Sequence, residues 1–339
     1  MMSVLVTGAT GLLGSHLIAY LVRQHQTVRA IYRTHIPALP PDVQERVEWM
    51  RADLLDIPSL RDALQDVQYV YHCAGKVSFA RKARRELMLV NVEGTRHLVD
   101  LCIEMRVRRM VHVSSVAALG RGDKEQHIDD DTPQPEHVRR SVYGWSKYLG
   151  EMEVWRGWAE GLEVAIVQPT IILGPGHWHT GSPALFKRIY DGFPFYSPGV
   201  NGFVDVRDVV RAMYLLMQSS VNGERFILNG DNWSYQRLFT AIAHAFHRKA
   251  PRYAAGRWMG YMVAAYQQLQ SWISSSYEPV VTLETVHTAQ LKVYYYATKL
   301  LRFFPEFRFT PLEETIAYTC EAFLNNQQQP AVAALITDV

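Results

Sequence analysis

A short apolar run followed at once by three evenly spaced glycines limits the possible folds of this chain more than any other part of its sequence. Residues 3–7 read SVLVT, and the stretch from Gly8 to Gly14 reads GATGLLG. Residues 12–22 then carry apolar side chains at helical spacing, so the glycines form a tight turn between a buried strand and a helix. Such a turn predicts the first strand–helix unit of a parallel sheet.

The three glycines also predict a phosphate-binding turn. Gly8 permits the tight turn, Gly11 lets the backbone approach a pyrophosphate, and Gly14 lets helix and strand pack closely. The N-terminus of the following helix offers free N–H groups and a partial positive charge. We therefore expect a dinucleotide here rather than an ordinary glycine turn. Further predicted contacts of the same turn are Thr10, Leu12 and Leu13.

Apolar runs and helical patterns alternate over the first part of the chain. This order predicts an α/β fold with a Rossmann-type doubly wound parallel sheet in residues 1–170. We expect residues 171–325 to form a smaller mixed α/β substrate-binding domain, intertwined with the first, and residues 326–339 to form a flexible tail. The predicted strands are residues 3–7, 27–32, 47–52, 69–73, 109–113 and 164–168, and the predicted helices include residues 12–22, 86–105, 143–159, 257–276 and 313–324.

Composition argues against several classes of partner. The 339 residues include 35 Lys and Arg against 33 Asp and Glu. We interpret the basic run at residues 81–85 as a solvated helix start and expect no nucleic acid. The three cysteines are far apart, which argues against a disulfide framework. Because we find no apolar run of about 18 residues and no targeting segment, we expect no membrane partner and a cytoplasmic location.

A serine, a tyrosine and a lysine carry the predicted chemistry. Ser115 follows a predicted strand, and Tyr143 and Lys147 lie four residues apart on a predicted helix, so they share one face. We expect the lysine cation and an oxidised nicotinamide to lower the phenol's pKa from about 10, and the serine to hold the substrate oxygen. Tyr295 and Lys299 repeat the spacing, but without a glycine turn nearby we interpret them as a helix surface.

Several stretches along the chain carry a resemblance to a known family: TGATGLLG, ADLLD, VYHCAG, NVEGTRHLV, VHVSSVAALG, YGWSK, VQPTIILGPG and FVDVRDV. From residue 1 to about 325 the chain resembles the extended (atypical) short-chain dehydrogenases/reductases, the NAD(P)-dependent epimerase/dehydratase superfamily. The stretch VYHCAGKVSF is most similar to the dihydroflavonol-reductase and 3β-hydroxysteroid-dehydrogenase branch. The resemblance implies an enzyme with a small-molecule substrate and a homodimer formed through helices 86–105 and 143–159.

The resemblance also implies roles for individual residues. Ser115 rather than Ser114 is the catalytic serine, Tyr143 exchanges the proton, and Lys147 holds the nicotinamide ribose. Asn91 lies on the helix behind the site. The implied cofactor contacts are Asp53 and Leu54 at the adenine, Ala74 and Gly75 along the cofactor, and Pro169 at the nicotinamide amide.

The end of the second predicted strand indicates the preferred dinucleotide. An NAD-specific site usually carries an acidic residue about 20 residues past the glycines, whereas residues 30–34 here read AIYRT. Arg33 can hold a 2′-phosphate bidentately and stack on the adenine. We expect NADP, with NAD as the alternative if Arg33 is an ordinary surface arginine.

The residues after Ser115 separate the possible reactions. Dehydratases of this superfamily carry an acidic pair there, but this chain has Val116 and Ala117, so elimination of water is not expected. The sequence favours an NAD(P)-dependent oxidoreductase acting on the carbonyl or secondary alcohol of an apolar or aromatic substrate. A sugar or nucleotide-sugar epimerase and a non-catalytic NADP-binding scaffold or sensor are the alternatives. The substrate class is inferred from aromatic residues in the later part of the chain, which suit the wall of an apolar site but also occur in cores. They are Trp178, Phe186, Phe193, Phe195, Tyr196, Trp258, Tyr261, Tyr266 and Trp272.

Weaker signals indicate substrate contacts. Lys76, Ser78 and Phe79 follow the strand at residues 69–73, whose carboxyl end faces the ligand crevice in such sheets. His177 and His179 lie in a loop after a Gly-Pro-Gly segment and are candidates to face the substrate. As metal ligands these histidines lack partners nearby in the sequence, so we expect no metal.

Overall fold

A parallel sheet with helices on both faces forms the centre of the molecule. The computed structural model describes residues 3–120, 126–132, 141–256 and 288–328. Its strands are β1 (Ser3–Thr7), β2 (Thr27–Tyr32), β3 (Val47–Arg51), β4 (Tyr69–His72), β5 (Arg109–Val113), β6 (Gln126–Asp129), β7 (Glu163–Pro169), β8 (Ile171–Leu173), β9 (Phe195–Tyr196), β10 (Val200–Asp205), β11 (Glu224–Leu228), β12 (Asp231–Ser234), β13 (Tyr253–Ala254) and β14 (Val293–Tyr296). Its helices are α1 (Leu12–Arg23), α2 (Pro41–Gln44), α3 (Ile57–Ala63), α4 (Arg84–Met88), α5 (Gly94–Glu104), α6 (Val142–Ala159), α7 (Pro183–Tyr190), α8 (Val206–Gln218), α9 (Tyr235–Ala245), α10 (Thr298–Phe303) and α11 (Leu312–Gln328).

The main sheet has the strand order β3-β2-β1-β4-β5-β7-β11, and every neighbouring pair is parallel. The order reverses between β1 and β4, so the ligand crevice of such a sheet lies outside the carboxyl ends of these two strands. The predicted doubly wound parallel sheet is confirmed. The edge strand β11 comes from well beyond residue 170, so the later part of the chain completes the sheet. The division into two domains stays a prediction.

Both faces of the main sheet are buried. Val4 and Val6 of β1 belong to a core that also contains apolar residues of α1 and α8. Leu5, between them, belongs to a second core that contains residues of α3, α5 and α6. Successive side chains of a strand point to opposite faces, so burial on both sides explains why the strands read as continuous apolar runs.

The helical segment between β4 and β5 is interrupted. The sequence predicts one helix over residues 86–105, whereas the structure has α4, a π-helical turn at Leu89–Glu93, and then α5. A π-turn inserts an extra residue into the helical ladder and changes where the following side chains point. The turn carries Asn91, which bears on the site described below.

The later part of the chain adds a smaller sheet and a third core. Strands β8, β10 and β12 form a sheet in which β8 and β10 are parallel and β10 and β12 antiparallel. Helices α7, α9 and α11 contribute to the core beside it. Helix α11 packs there through Ile316, Cys320 and Phe323. It ends at Gln328, so the first residues of the predicted tail are helical, and the flexibility of the tail stays a prediction.

Two other points concern the predicted helices. The helix predicted at residues 257–276 lies outside the described residues. Within the ranges that the structure describes, no helix is long and apolar enough to cross a membrane.

The interpretation of Tyr295 and Lys299 as a helix surface is wrong. Tyr295 lies in β14, pairs with Ile128 of β6 and is fully buried. Lys299 lies in α10 and forms an ion pair with Glu224. The aromatic run VYYY forms a strand instead, as such residues favour, and the two side chains therefore belong to different elements.

Candidate functional site

The glycine turn between β1 and α1 has a backbone conformation and close contacts that a residue with a side chain could adopt only with strain. Gly8 has a φ of +70°, and a Cβ there would lie 2.5 Å from the backbone nitrogen of Ala74. A Cβ on Gly14 would overlap the carbonyl oxygen of Gly8. These two positions bring the ends of β1 and β4 and the first turn of α1 into direct contact.

The middle glycine leaves the N-terminus of α1 open. Gly11 is exposed, and a Cβ there would meet only the carbonyl oxygen of Gly8, at 3.4 Å. No side chain caps this helix, and its first turn carries no acidic residue. An uncapped N-terminus presents backbone N–H groups and partial positive charge. The residues of the turn therefore fit the diphosphate of a dinucleotide. Thr10, Leu12 and Leu13 lie on this turn as predicted from the sequence.

Two arginines lie side by side at the carboxyl ends of β2 and β3. Arg33 follows β2 and is exposed, and Arg51 ends β3. The Nε of Arg51 donates to the carbonyl oxygen of Arg33 at 3.2 Å. Sequence reasoning missed Arg51. Its place beside Arg33 follows from the register of β2 on β3, which pairs Tyr32 with Arg51.

The predicted adenine contacts lie in the next turn. The Asp53 carboxylate accepts from the backbone nitrogen of Leu55 at 3.0 Å, and the Asp53 backbone nitrogen donates to Ser59 Oγ at 3.3 Å. Leu54 is buried, and a Cβ on Gly94 would lie 2.9 Å from its side chain. This turn is thus fixed by its own hydrogen bonds and by α5.

Ser115 and Tyr143 meet beyond the end of β5. Ser115 starts a short 3₁₀ turn, Val116–Leu119, and its Oγ accepts from the backbone nitrogen of Ala117 at 3.2 Å. Tyr143 lies in the first turn of α6, whose N-cap Ser141 accepts from Gly144 at 2.7 Å. The Ser115 side chain lies close enough to the Tyr143 phenol to act on its pKa. The neighbouring Ser114 faces away from this pair and contacts Glu151.

The protein environment acts on the pKa of Tyr143 in two directions. Burial raises the pKa of this phenol, and the Ser115 side chain opposes the rise only in part. The Lys147 ammonium instead donates to the carbonyl oxygen of Val113 at 2.7 Å. In the protein alone the pKa of the phenol is therefore raised, because burial disfavours the phenolate. The lowering expected with an oxidised nicotinamide beside Lys147 stays a prediction.

Lys147 itself is buried, with 5 % of its surface exposed. Burial lowers the pKa of its ammonium to about 8, while the negative charge of Glu151 raises it. Beside it lie His72 and His112, whose rings are 5.0 Å apart. Burial, reinforced by the Lys147 charge, lowers the pKa of His72 to about 3. These histidines are uncharged at neutral pH, so they add no positive charge near Lys147.

Asn91 fixes the loop that follows β4. Its Oδ1 accepts from the backbone nitrogen of Lys76 at 2.7 Å, and its Nδ2 donates to the Lys76 carbonyl at 3.0 Å and to Ser146 Oγ at 2.8 Å. A Cβ on Gly75 would lie 3.4 Å from Asn91 Oδ1 and 3.6 Å from Lys147 Nζ. The π-turn thus holds Ala74 and Gly75 between the glycine turn and Lys147.

Of the weaker candidates after β4, one contacts the predicted catalytic tyrosine. The ring of Phe79 packs edge-on against Tyr143 with centroids 5.6 Å apart. Ser78 is buried and accepts from the backbone nitrogen of Ala80 at 3.2 Å, which suits a structural role. Lys76 forms an ion pair with Glu86 at 3.3 Å. Phe79 is therefore the best placed of these residues to contact a substrate.

The histidine loop is less closely tied to this site. His177 and His179 are exposed, whereas Trp178 between them is buried against Phe323. Phe186 is also core, whereas Phe193, Phe195 and Tyr196 are exposed or half-buried, and the aromatic residues from 258 to 272 lie outside the described residues. In the described part of the chain, no cluster of three or more His, Cys, Asp or Glu could hold a metal ion.

The remaining predicted residue, Pro169, ends β7 and pairs with Leu228 of β11. Strands β1, β4, β5 and β7 are parallel neighbours, so their carboxyl ends share one edge of the sheet. The structure therefore gathers the glycine turn, Gly75, Ser115, Tyr143, Lys147 and Pro169 along that edge, and it places Arg33 and Asp53 beyond β1.

Comparisons with known proteins agree with this arrangement. The model of the NAD dependent epimerase/dehydratase family matches residues 4–229. Sterol demethylase protein B of Methylococcus capsulatus is 34% identical over 263 residues, which cover 75% of this chain and 77% of that protein. A Synechocystis sp. protein named "Putative dihydroflavonol 4-reductase" is 29% identical over 308 residues, 88% of each chain. The crystal structure of gox2253 covers 96% of this chain and 99% of its own, with a TM-score of 0.79 and 27% identity.

These findings confirm the resemblance inferred from the motifs. The matched region contains the glycine turn, Ser115, Tyr143 and Lys147, and a relative carries the name of the reductase branch that VYHCAGKVSF resembles. The chain is an enzyme of the NAD dependent epimerase/dehydratase family.

Proposed function

We propose that this protein is an NADP-preferring oxidoreductase that transfers a hydride between the nicotinamide and a carbonyl or secondary alcohol of an apolar or aromatic substrate. The observation that carries the proposal is the Ser115 side chain beside the half-buried Tyr143 phenol, with the Phe79 ring against the same phenol. A phenol and a hydroxyl held together in this way can both contact one substrate oxygen.

The side chains divide the proton chemistry between them. When bound, the reduced nicotinamide supplies the hydride. Tyr143 is protonated at neutral pH because burial raises its pKa, so it donates its proton to the carbonyl oxygen as the carbon is reduced. Ser115 donates a second hydrogen bond to that oxygen. The phenolate left on Tyr143 is stabilised by the Lys147 ammonium and regains its proton from solvent.

The proposed substrate class rests on the apolar wall of the site. Phe79 packs on Tyr143, and Val116 and Ala117 stand where dehydratases of this family carry acidic residues. The names of two relatives, a sterol demethylase protein and a dihydroflavonol 4-reductase, refer to apolar or aromatic compounds and support the same class. Residues 171–325 supply the other side of the substrate site in this proposal.

The preference for NADP rests on charge at the adenine end. Arg33 and Arg51 lie together where β2 and β3 end, and residues 30–34 contain no carboxylate. Two guanidinium groups suit a 2′-phosphate, whereas an acidic residue there would favour the free ribose hydroxyls.

A panel of aldehydes, ketones and alcohols assayed with NADP(H) and NAD(H) tests the proposal. We expect absorbance at the nicotinamide band to change with an apolar carbonyl compound. Tyr143→Phe should lower kcat by about 10²–10⁴-fold because it removes the general acid. Tyr148→Phe, on the same helix and stacked on Trp145, is the matched control and should keep full activity.

Three outcomes would contradict this function. Equal turnover by Tyr143→Phe would exclude Tyr143 as the proton donor. A dinucleotide that stays bound during purification, with isomerisation of a sugar and no net redox change, would indicate an epimerase. Binding of NADPH without turnover of any compound in the panel would indicate a scaffold or sensor.

A further inference from the structure

A buried carboxylate lies one helical turn beyond Lys147. Glu151 on α6 has 1 % of its surface exposed. Its Oε2 accepts from Ser114 Oγ at 2.6 Å and from Gln168 Nε2 at 2.8 Å. Its Oε1 accepts from Trp155 Nε1 at 3.3 Å and faces the Arg225 guanidinium at 3.6 Å. A carboxylate buried to this degree is retained only where its lone pairs are satisfied.

The partners of Glu151 come from the strands that lead into the active site. Ser114 directly precedes Ser115, and Gln168 directly precedes Pro169. One carboxylate oxygen therefore links the carboxyl ends of β5 and β7 to the helix that carries Tyr143. A displacement of Glu151 would move Ser115 relative to the phenol.

The charge of Glu151 also acts on Lys147. Among the described groups around this ammonium, burial keeps His72 and His112 neutral and raises the pKa of the Cys73 thiol to about 12. Burial likewise keeps the Tyr143 phenol protonated. Arg225 of β11 faces the Glu151 carboxylate at 3.6 Å. Of these groups, Glu151 alone supplies negative charge at neutral pH, and it opposes the desolvation of Lys147.

We propose that Glu151 is a positioning residue of the active site, which keeps the Lys147 ammonium charged and holds Ser115 in place through Ser114. The inference rests on the oxidoreductase proposed above, in which Lys147 must be charged to stabilise the Tyr143 phenolate. Glu151 does not touch the reacting atoms and acts only through its neighbours.

The test is the pH dependence of Glu151→Gln, which keeps the shape of the side chain and removes its charge. We expect the alkaline limb of the kcat profile to move to lower pH by about one unit, because removal of a nearby negative charge lowers the pKa of an ammonium. The affinity for NADPH, followed by tryptophan fluorescence, should also begin to fall at a lower pH than in the parent protein. Glu151→Asp restores the charge and should return the pH profiles of kcat and of NADPH binding toward those of the parent protein.

The matched control is Glu153→Gln. Glu153 lies on the same helix, but pairs with Arg156 at 2.9 Å near the surface, so its loss should leave both profiles in place. If Glu151→Gln lowers kcat or the melting temperature without moving either pH profile, the role of Glu151 is structural and the proposal is wrong. A parent protein that binds NADPH but reduces no carbonyl compound would overturn the proposed function instead, and the binding titration would then decide the role of Glu151.

Discussion

The proposed preference for NADP depends on one exposed side chain, Arg33. Arg33 contacts the neighbouring strand through its backbone, because its carbonyl oxygen accepts from Arg51. This contact does not depend on the Arg33 side chain. We expect Arg33→Ala to weaken NADPH binding by about tenfold or more, because a hydrogen bond to a charged group contributes about 1.5–3 kcal/mol. Affinity for NADH should change little. Fluorescence titration with both dinucleotides measures the difference.

A matched substitution separates this effect from a general loss of positive charge. Arg302 is an exposed arginine on α10 that pairs with Asp131 at 2.7 Å. Arg302→Ala should leave both dissociation constants unchanged. An equal loss of NADPH and NADH affinity in Arg33→Ala would show that Arg33 contacts the shared part of the dinucleotides and that the 2′-phosphate is bound elsewhere.

Two local patterns in the sequence, a strand end and a helix start, predicted that Ser115 and Tyr143 share one site. These patterns carry no information on the protonation of the Tyr143 phenol. The direction of the Tyr143 pKa depends on burial among residues distant in sequence, Phe79 among them. Arg51 was missed for a similar reason, because its place beside Arg33 follows from strand register.

At the scale of elements, α6 and the π-turn approach each other so closely that only glycine fits. A Cβ on Gly150 would overlap the carbonyl oxygen of Asn91. We expect Gly150→Ala to lower the free energy of unfolding by about 1–3 kcal/mol, as overpacking does when backbone must shift. Chemical denaturation of the variant beside the parent protein measures this loss.

The matched control for this prediction is Gly256→Ala. A Cβ on Gly256 would meet none of the described residues within 4 Å, so this substitution should change the free energy of unfolding by less than about 0.5 kcal/mol. If Gly150→Ala is as stable as Gly256→Ala, the helix and the turn are farther apart in solution than the structure has them.

Elements with a strong local pattern were predicted well, and elements that depend on tertiary contacts were not. The residue bounds of β1 and β2 agree with the predicted strands, since both are short apolar runs closed by turn residues. The π-turn at Leu89–Glu93 has no such signal, because the helical spacing of apolar residues continues through it. Its position follows from the hydrogen bonds of Asn91 with the loop after β4.

At the scale of the whole molecule, three histidines are buried in or beside the main cores. His16 and His72 have pKa values that burial lowers from 6.5 to about 4 and about 3. Burial also lowers the pKa of His112 well below its usual range. The folded protein therefore keeps all three neutral at a pH where the unfolded chain binds protons.

This difference predicts a steep loss of stability in mild acid. Below about pH 6.5 the unfolded state binds more protons than the folded state, so the free energy of unfolding falls as the pH falls, by about 1.4 kcal/mol per pH unit for each histidine. The three together should give a slope of about 4 kcal/mol per pH unit near pH 5. Urea unfolding at pH 7.5, 6 and 5 measures that slope.

One substitution tests whether the buried histidines cause it. His112→Phe removes a titrating ring whose two nitrogens have no hydrogen-bond partner among the described residues, so the slope should fall by about a third while the protein stays folded. His179→Phe changes an exposed ring and should leave the slope as it was. A stability that is flat between pH 7.5 and 5, or a slope that His112→Phe leaves intact, would mean that these histidines gain protons without unfolding the cores around them.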